Sequence, residues 1–248
     1  MNSEDYVDIL GVKISRLNKK QVLDKIDLAI SAGTPLTIFT PNTEIIMRAQ
    51  KDISFKKLLN SADILLPDGI GVVIASKLIR PPLPERVTGI DTGEDILHLA
   101  NEGAIPVFLL GAKAGVAERA AVAIKTRFPN IRIVGTHHGY FEKSGTENDA
   151  VIKQINNSGA RILFVCFGAP TQEKWIAENK NRLKSVKLYT GLGGALDVWS
   201  KDVRRAPQLL QNIGLEWLWR ICKEPRRATF LLKMPSFLYK VLCRKISN

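Results

Sequence analysis

No apolar run in this chain approaches the ~20 residues that a membrane-spanning helix needs. The first residues, Met1 to Asp8, are acidic and lack the apolar stretch of a secretory signal. Together these absences predict a cytoplasmic protein. Cysteine is scarce: Cys166, Cys222 and Cys243 are too few and too far apart for a disulfide framework or a zinc site. Cys166 lies in an apolar run and reads as a small core residue.

Several chemistry-bearing motifs are missing too. Gly69-Ile70-Gly71 is followed by Ile74 where a dinucleotide fingerprint needs glycine, and Gly191-Leu192-Gly193-Gly194 has the wrong spacing as well. There is no G-x-x-x-x-G-K-[ST] phosphate loop and no G-x-S-x-G nucleophile elbow. No two aspartates stand two apart, so the Asp-x-Asp pattern that holds a metal-nucleotide in many sugar transferases is absent. His98 is isolated and His137-His138 stand alone, so the sequence offers no metal cluster and no metal or other cofactor is expected. A departing diphosphate would then have to be stabilised by Arg, Lys or helix N-termini.

What is present points to a large α/β domain. The chain has 248 residues, 45% of them hydrophobic, enough to bury a full core. Short β-rich runs alternate with amphipathic segments up to about residue 200. Residues 36–39, 64–66, 107–110, 131–134, 162–165 and 186–189 read as buried strands. Asn18 is placed to cap a helix that runs to Ala32 and stops at Gly33, with Val22, Ile26, Ala29 and Ile30 on one face. Segments 114–128 and 171–183 read as further helices. This alternation predicts a Rossmann-like, largely parallel sheet with helices on both faces.

Ligands of such sheets bind at the carboxyl ends of the strands. Those ends carry the unusual residues of this chain: Thr40-Pro41-Asn42, Pro67-Asp68-Gly69, Gly111-Ala112, His138-Gly139-Tyr140, Gly168-Ala169-Pro170-Thr171-Gln172 and Gly191 to Asp197. Turns are rich in Gly and Pro anyway, but turn chemistry alone does not call for Asp68, Arg86 or Gln172. Asp68 is the leading catalytic candidate. It follows a buried strand, and Gly69 and Gly71 leave room for a substrate beside it. A carboxylate there can take the proton of an attacking hydroxyl, or it can cap the next helix. Arg86, in a Pro-rich loop, can clamp a phosphate or carboxylate, or pair with Glu85.

Positive charge is concentrated at the end of the chain. The net charge is +12, and residues 201–248 hold 11 Lys and Arg against 3 Asp and Glu. From Pro207, apolar residues recur at helical spacing through Ile221. A second stripe follows, Phe230, Leu231, Met234, Phe237, Leu238, Val241 and Leu242, flanked by Lys233, Lys240, Arg244 and Lys245. Bulky apolar residues opposite a basic fringe predict a helix in an anionic membrane interface. An ordinary amphipathic helix packed on its own domain would read the same way, and Pro235 should kink it. The chain thus divides into a catalytic α/β domain, 1–200, and a basic helical appendage, 201–248, expected to associate with membrane and to complete the site.

Taken in order, these stretches resemble the WecG/TagA/CpsF family, glycosyltransferase family 26. The matching segments are Thr40-Pro41-Asn42, Leu66 to Gly71, Arg86-Val87-Thr88-Gly89, His138 to Phe141, Phe167 to Glu173, Gly191 to Asp197, Arg204-Arg205-Ala206-Pro207, Gly214 to Arg220 and Glu224-Pro225-Arg226-Arg227. The resemblance implies an inverting, metal-independent transfer from a UDP-sugar donor to a polyprenyl-diphosphate-linked sugar acceptor. Its TagA-like branch moves N-acetylmannosamine onto undecaprenyl-diphosphate-N-acetylglucosamine in building the linkage unit of wall teichoic acid. UDP-N-acetylmannosaminuronic acid and UDP-glucose are the alternative donors. Carried over by position, Asp68 is the general base, and Thr40, Asn42, Arg86 and Gln172 line the reaction pocket. Tyr140 and Asp197 fall on the uridine side, and Arg220, Arg226 and Arg227 balance the diphosphate. The implied location is the cytoplasmic face of the cell membrane, held peripherally, with a homo-oligomer left open. A basic nucleic-acid-binding module is the rival class, since the sequence pI is about 9.7. The apolar stripe beside the charges and the Gly-dominated strand ends speak against nucleic acid.

Overall fold

A computed structural model describes residues 5–79, 82–212, 215–223 and 229–246 of the chain. It opens on an antiparallel hairpin of β1 (Tyr6–Ile9) and β2 (Val12–Ser15). The two turn residues, Leu10 and Gly11, both have positive φ, 54° and 82°. A two-residue turn with that backbone suits the twist of a hairpin but ordinarily carries Asn-Gly or Asp-Gly. Leucine in the first position hides the turn from a sequence reading. The hairpin lies along the sheet edge, where Ser15 Oγ accepts the N–H of Leu65 at 3.0 Å.

Helix α1 (Lys19–Ala32) begins and ends where its caps dictate. Asn18 accepts from the N–H of Gln21 and Gln21 returns the bond to the Asn18 N–H, a full capping box, while Gly33 closes the helix at φ 69°. The chain then alternates. β3 (Leu36–Phe39) leads to α2 (Thr43–Ala49) and α3 (Ile53–Asn60), and β4 (Ile64–Leu65) to α4 (Ile70–Leu78) and α5 (Gly89–Glu102). β5 (Pro106–Gly111), α6 (Val116–Arg127), β6 (Arg132–His137) and α7 (Gly145–Ser158) follow. β7 (Ile162–Cys166), α8 (Thr171–Asn179), β8 (Leu188–Gly191) and α9 (Ala195–Trp199) complete the alternating part. Strands β3 to β8 form one parallel sheet in the order β4-β3-β8-β7-β5-β6.

Alternate residues of each strand enter two separate hydrophobic clusters. Phe39, Leu110, Val165 and Tyr189 join the hairpin, α2, α3, α7 and α8 on one face. Ile38, Leu109, Phe164 and Leu188 join α1, α5, α6 and α9 on the other. Period-two burial on both faces is what a covered parallel sheet requires. Cys166 is buried in the second cluster, and burial pushes its thiol up to about 12. It is the core residue the sequence suggested.

The last stretch is not one continuous pattern. Helices α10 (Gln208–Asn212) and α11 (Glu216–Lys223) are short, and α12 (Thr229–Ile246) runs through Pro235. Phe237 and Val241 of α12 are fully buried in the same cluster as the sheet, with Met234 and Leu238 packed beside them. Gly71 in α4 makes the close approach feasible, because a Cβ there would strike Thr43 Oγ1 and Met234 Cε. Part of the stripe expected to face a membrane is therefore spent on the protein's own core. The outward side of α12 keeps Tyr239 and Leu242 exposed among Lys240 and Arg244. Among the described residues no helix is long and apolar enough to cross a membrane.

Replacing Phe237 with Ala should weaken the docking of α12 by about 3–5 kcal/mol, the range for emptying a buried aromatic site. Limited proteolysis should then cut within 229–246 faster than in the parent, with the sheet domain still intact. Unchanged cleavage there would show that α12 is held by other contacts.

Candidate active site

The sheet order decides where a ligand can sit. Strands β4, β3, β8 and β7 are neighbours, so the loops at their carboxyl ends converge. Between them, under α11, α12 and the segment before α10, lies a cavity of about 880 Å³. Its walls include Thr40 and Asn42 after β3, Asp68 after β4, Gly168 and Gln172 after β7, Gly193 and Asp197 after β8, and Arg86 before α5. Six of the seven residues expected at the reaction centre and its uridine side, Asp68 among them, are part of this lining.

Asp68 is half-buried. The helix it precedes starts at Gly69 (φ 87°), which has no side-chain cap, so Asp68 does not play the capping role. Thr40 is buried against α5: a Cβ at Gly89 would stand 3.0 Å from Thr40 Oγ1, so the glycine lets the first turn of that helix come close without displacing Thr40. The N-terminus of α5, with Thr88, Gly89 and Ile90, thus faces the cavity. Asn42 caps α2, its Oδ1 accepting from the N–H groups of Glu44 and Ile45 at 3.0 and 3.1 Å. That bond fixes the amide and holds its other end at the cavity wall.

Gln172 ties two loops together. Its Oε1 accepts the N–H of Gly168 at 3.1 Å and that of Gly193 at 2.9 Å, joining the ends of β7 and β8. It packs on bare backbone, since a Cβ on Gly191 would lie 2.7 Å from its Nε2. Asp197 lies in the first turn of α9, and burial raises its carboxyl above the usual aspartate range. A partly desolvated carboxylate of this kind gains from hydroxyl donors that a ligand brings.

Arg86 does not pair with Glu85. Its Nη2 lies 3.5 Å from Glu216 Oε2 and its Nη1 donates to the carbonyl of Gln211 at 3.3 Å. Glu216, only 8% exposed, is shared with Arg205, whose Nε is 3.7 Å from Oε1 and whose Nη2 is 2.6 Å from Asp91 Oδ1. A buried carboxylate between two guanidinium groups clamps the start of α11 to the loop before α5 and, through Arg205 and Asp91, to the first turn of α5. Neither Glu216 nor Arg205 was singled out from sequence. An acidic residue at a helical apolar position of a basic tail was the available signal.

Tyr140 does not join this cavity. It follows β6, the edge strand farthest from β4, and its ring is 71% exposed. Arg226 and Arg227 lie outside the described residues, as does the side chain of Arg220, whose backbone belongs to α11. The cavity has other cations: Arg48, Arg204 and Lys233 line it besides Arg86 and Arg205. Trp217 and Trp219 form part of its wall. Among the described residues no group of three or more His, Cys, Asp or Glu side chains is placed to hold a metal ion.

The model of the glycosyl transferase WecG/TagA/CpsF family matches residues 7–248. The chain belongs to that family. It is similar to the N-acetylglucosaminyldiphosphoundecaprenol N-acetyl-beta-D-mannosaminyltransferases of Staphylococcus aureus strains MRSA252 and MW2. Each is 35% identical over 237 residues, spanning 95% of this chain and 91% of the relative. The protein is thus a glycosyltransferase, and the nucleic-acid reading falls away. The cavity at the strand ends is closed on one side by the Glu216 clamp.

Glu216→Ala would leave two arginines sharing no carboxylate, at a cost of about 1–3 kcal/mol for the lost charged partner. We expect α11 to loosen, with faster proteolysis across 207–223, and turnover to fall because Arg86 loses its orientation. Parent-like proteolysis together with parent-like turnover would refute the clamp.

Proposed function

We propose that this glycosyltransferase moves N-acetylmannosamine from UDP-N-acetylmannosamine to undecaprenyl-diphosphate-N-acetylglucosamine, with inversion and without a metal, in building the wall teichoic acid linkage unit. The observation that carries the reading is the convergence of Asp68, Thr40, Asn42, Arg86, Gln172 and Asp197 on one cavity in a chain 35% identical, over 95% of its length, to relatives bearing that name. The donor sugar sits over the ends of β3 and β4, with the nucleoside towards β8 and Asp197. The acceptor hydroxyl attacks the anomeric carbon from the side opposite the leaving diphosphate. Asp68 takes the hydroxyl proton as the new C–O bond forms, and UDP departs with the electron pair of the bond that breaks. An in-line displacement of this kind inverts the anomeric centre.

The negative charge that builds on UDP needs a counter-charge. Arg48, Arg204 and Lys233 in the cavity wall, together with the N-terminus of α5, support a cationic one. Arg220, Arg226 and Arg227 are proposed to add to it. Tyr140 is kept only as an outer contact of the nucleoside, reached if the β6 loop folds inwards. The enzyme works at the cytoplasmic membrane face, because its acceptor is a lipid. The exposed side of α12, with Tyr239, Leu242, Lys240 and Arg244, supports that location.

The test is UDP release with a short-chain lipid-diphosphate acceptor and a panel of donors: UDP-N-acetylmannosamine, its uronic acid and UDP-glucose. N-acetylmannosamine should be transferred fastest, and excess EDTA should leave the rate within about twofold, since the counter-charge is cationic side chain. Preference for another donor, or loss of activity in EDTA restored by magnesium, would overturn the corresponding part of the proposal.

Asp68→Asn should keep the fold and donor binding and lower turnover by ~10²–10⁴-fold, as expected for a lost general base. Single-turnover kinetics with the soluble acceptor reads this directly. A well-folded variant at near-parent rate would remove Asp68 from the chemistry.

A further inference from the structure

Beside Gln172 lies a charged group for which the transfer reaction has no evident use. Glu173 is 1% exposed, in the first turn of α8. Its Oε1 accepts from Gln172 Nε2 at 2.9 Å, and its Oε2 has no hydrogen-bond partner among the described residues. It does not line the cavity. A buried carboxylate with one unsatisfied oxygen costs stability that a neutral side chain of the same shape would not. The first turn of α8 and Arg48 offset only part of that cost, since burial still outweighs them.

The reason lies in the two ends of an amide. The oxygen and nitrogen of Gln172 are nearly equal in shape, so packing scarcely chooses between them. Gly168 and Gly193 both offer N–H donors to the same atom. With the amide reversed, an NH₂ group would face two N–H groups, both loops would lose a bond, and the walls at the ends of β7 and β8 would part. An ionised carboxylate can only accept. Held against Gln172, Glu173 admits nitrogen on its side alone and sends the oxygen towards the two loops.

We propose that Glu173 is a positioning residue for sugar transfer, locking the Gln172 amide in the one orientation that holds the Gly168 and Gly193 loops together at the reaction cavity. The proposal rests on the glycosyltransferase reading of the same site. Burial raises the Glu173 carboxyl above the usual glutamate range, against the opposing pull of Gln172, its own backbone N–H and Arg48. A raised folded-state value means that the folded protein holds this proton more tightly than the unfolded chain. Stability from the neutral form is full below the ordinary glutamate value and is lost as pH rises through the raised one. The ionised form of the group is therefore a net burden on the fold, and the neutral form is not. Position and stability thus pull in opposite directions, which separates this role from a merely structural one.

The experiment uses the full chain with the soluble acceptor. Glu173→Gln should unfold at the same or a higher denaturant concentration than the parent at neutral pH, with any gain shrinking as pH is lowered. Its kcat should fall about twofold to tenfold with donor KM little changed, as about half to nine-tenths of the molecules then carry a reversed amide. In a Gln172→Ala background the same substitution should cost nothing further, since no amide remains to orient. Parallel loss of stability and activity in E173Q, including failure to fold, would make Glu173 structural and overturn the proposal. So would parent-like kcat, or an additive loss in the double variant. If the parent enzyme itself transfers no sugar to the acceptor, it is the functional reading that fails, not the role of Glu173.

Discussion

A sheet whose strands all run the same way gathers every strand end at one edge, and this constraint governs the molecule. Each parallel connection must return through a helix, so the two faces are covered and only the edge stays open. The order β4-β3-β8-β7-β5-β6 then sorts the ends. Chain segments more than 100 residues apart, after β3 and after β8, become neighbours, and Thr40 comes to lie beside the carbonyl of Gly191. The same order carries the end of β6 away from them. Glycines at the edge let the pieces close on one another: Gly89 against Thr40 and Gly191 against Gln172. What the edge lacks in backbone pairing is supplied by side chains. One amide oxygen, that of Gln172, takes two N–H groups that no strand could use.

The other side of the cavity is built differently. Residues after 200 meet the sheet domain through charge at one point and through apolar packing at another. Glu216 sits between Arg86 and Arg205, and Arg205 reaches on to Asp91 in the first turn of α5. Phe237 and Val241 insert into the core beside α2 and α4. An ion-pair network resists sliding but is dear in desolvation, whereas apolar contact is strong and indifferent to direction. Used together they fix both where the tail lies and how it is turned. The basic surplus of the tail thus has two destinations. Some of it is paired inwards against Glu216, and some, as at Lys240 and Arg244, remains at the exposed side of α12.

How far this was legible in the sequence depends on the range of the interaction. The strands of the sheet and α1 are local facts. Asn18, Gln21 and Gly33 close their own hydrogen bonds within a few residues, so periodicity and caps find them. The strand-end residues of the cavity were also readable, because the carboxyl-end rule turns a list of strands into a list of loops, whereas Glu216, Arg205 and Arg48 were not. Strand order was not readable, so nothing local showed that Tyr140, put beside Asp197 by the family resemblance, follows a strand far from β8. The β1–β2 hairpin escaped because Leu10 occupies a turn position that usually announces itself with Asn or Asp. The apolar stripe of α12 was found, but a stripe does not say what it faces. Lipid and protein core offer an isolated helix the same kind of contact, and only the glycine at position 71 and the groove beside it decide for the core.

The buried charges separate positions that serve the fold from those that serve the reaction. Asn42 and Gln172 are neutral amides, and each satisfies backbone donors that would otherwise be orphaned. They stabilise the fold and shape the cavity at once. Glu173, Asp197 and Glu216 are carboxylates at low exposure, and each is tolerated on different terms. Glu216 has two guanidinium groups, so its burial is compensated on the spot. Glu173 has one amide proton, and its carboxyl is raised by burial in consequence. Asp197 is raised as well, with Asp202 adding to the effect and Lys113 opposing it. Its position in the cavity wall leaves room for a ligand to supply the missing donors. A fold selected for stability alone would have little use for the last two. Asp197 lies in the wall of the strand-end cavity and Glu173 directly behind it, so the two carboxylates whose burial is least offset both adjoin the place where the ligand is proposed to bind.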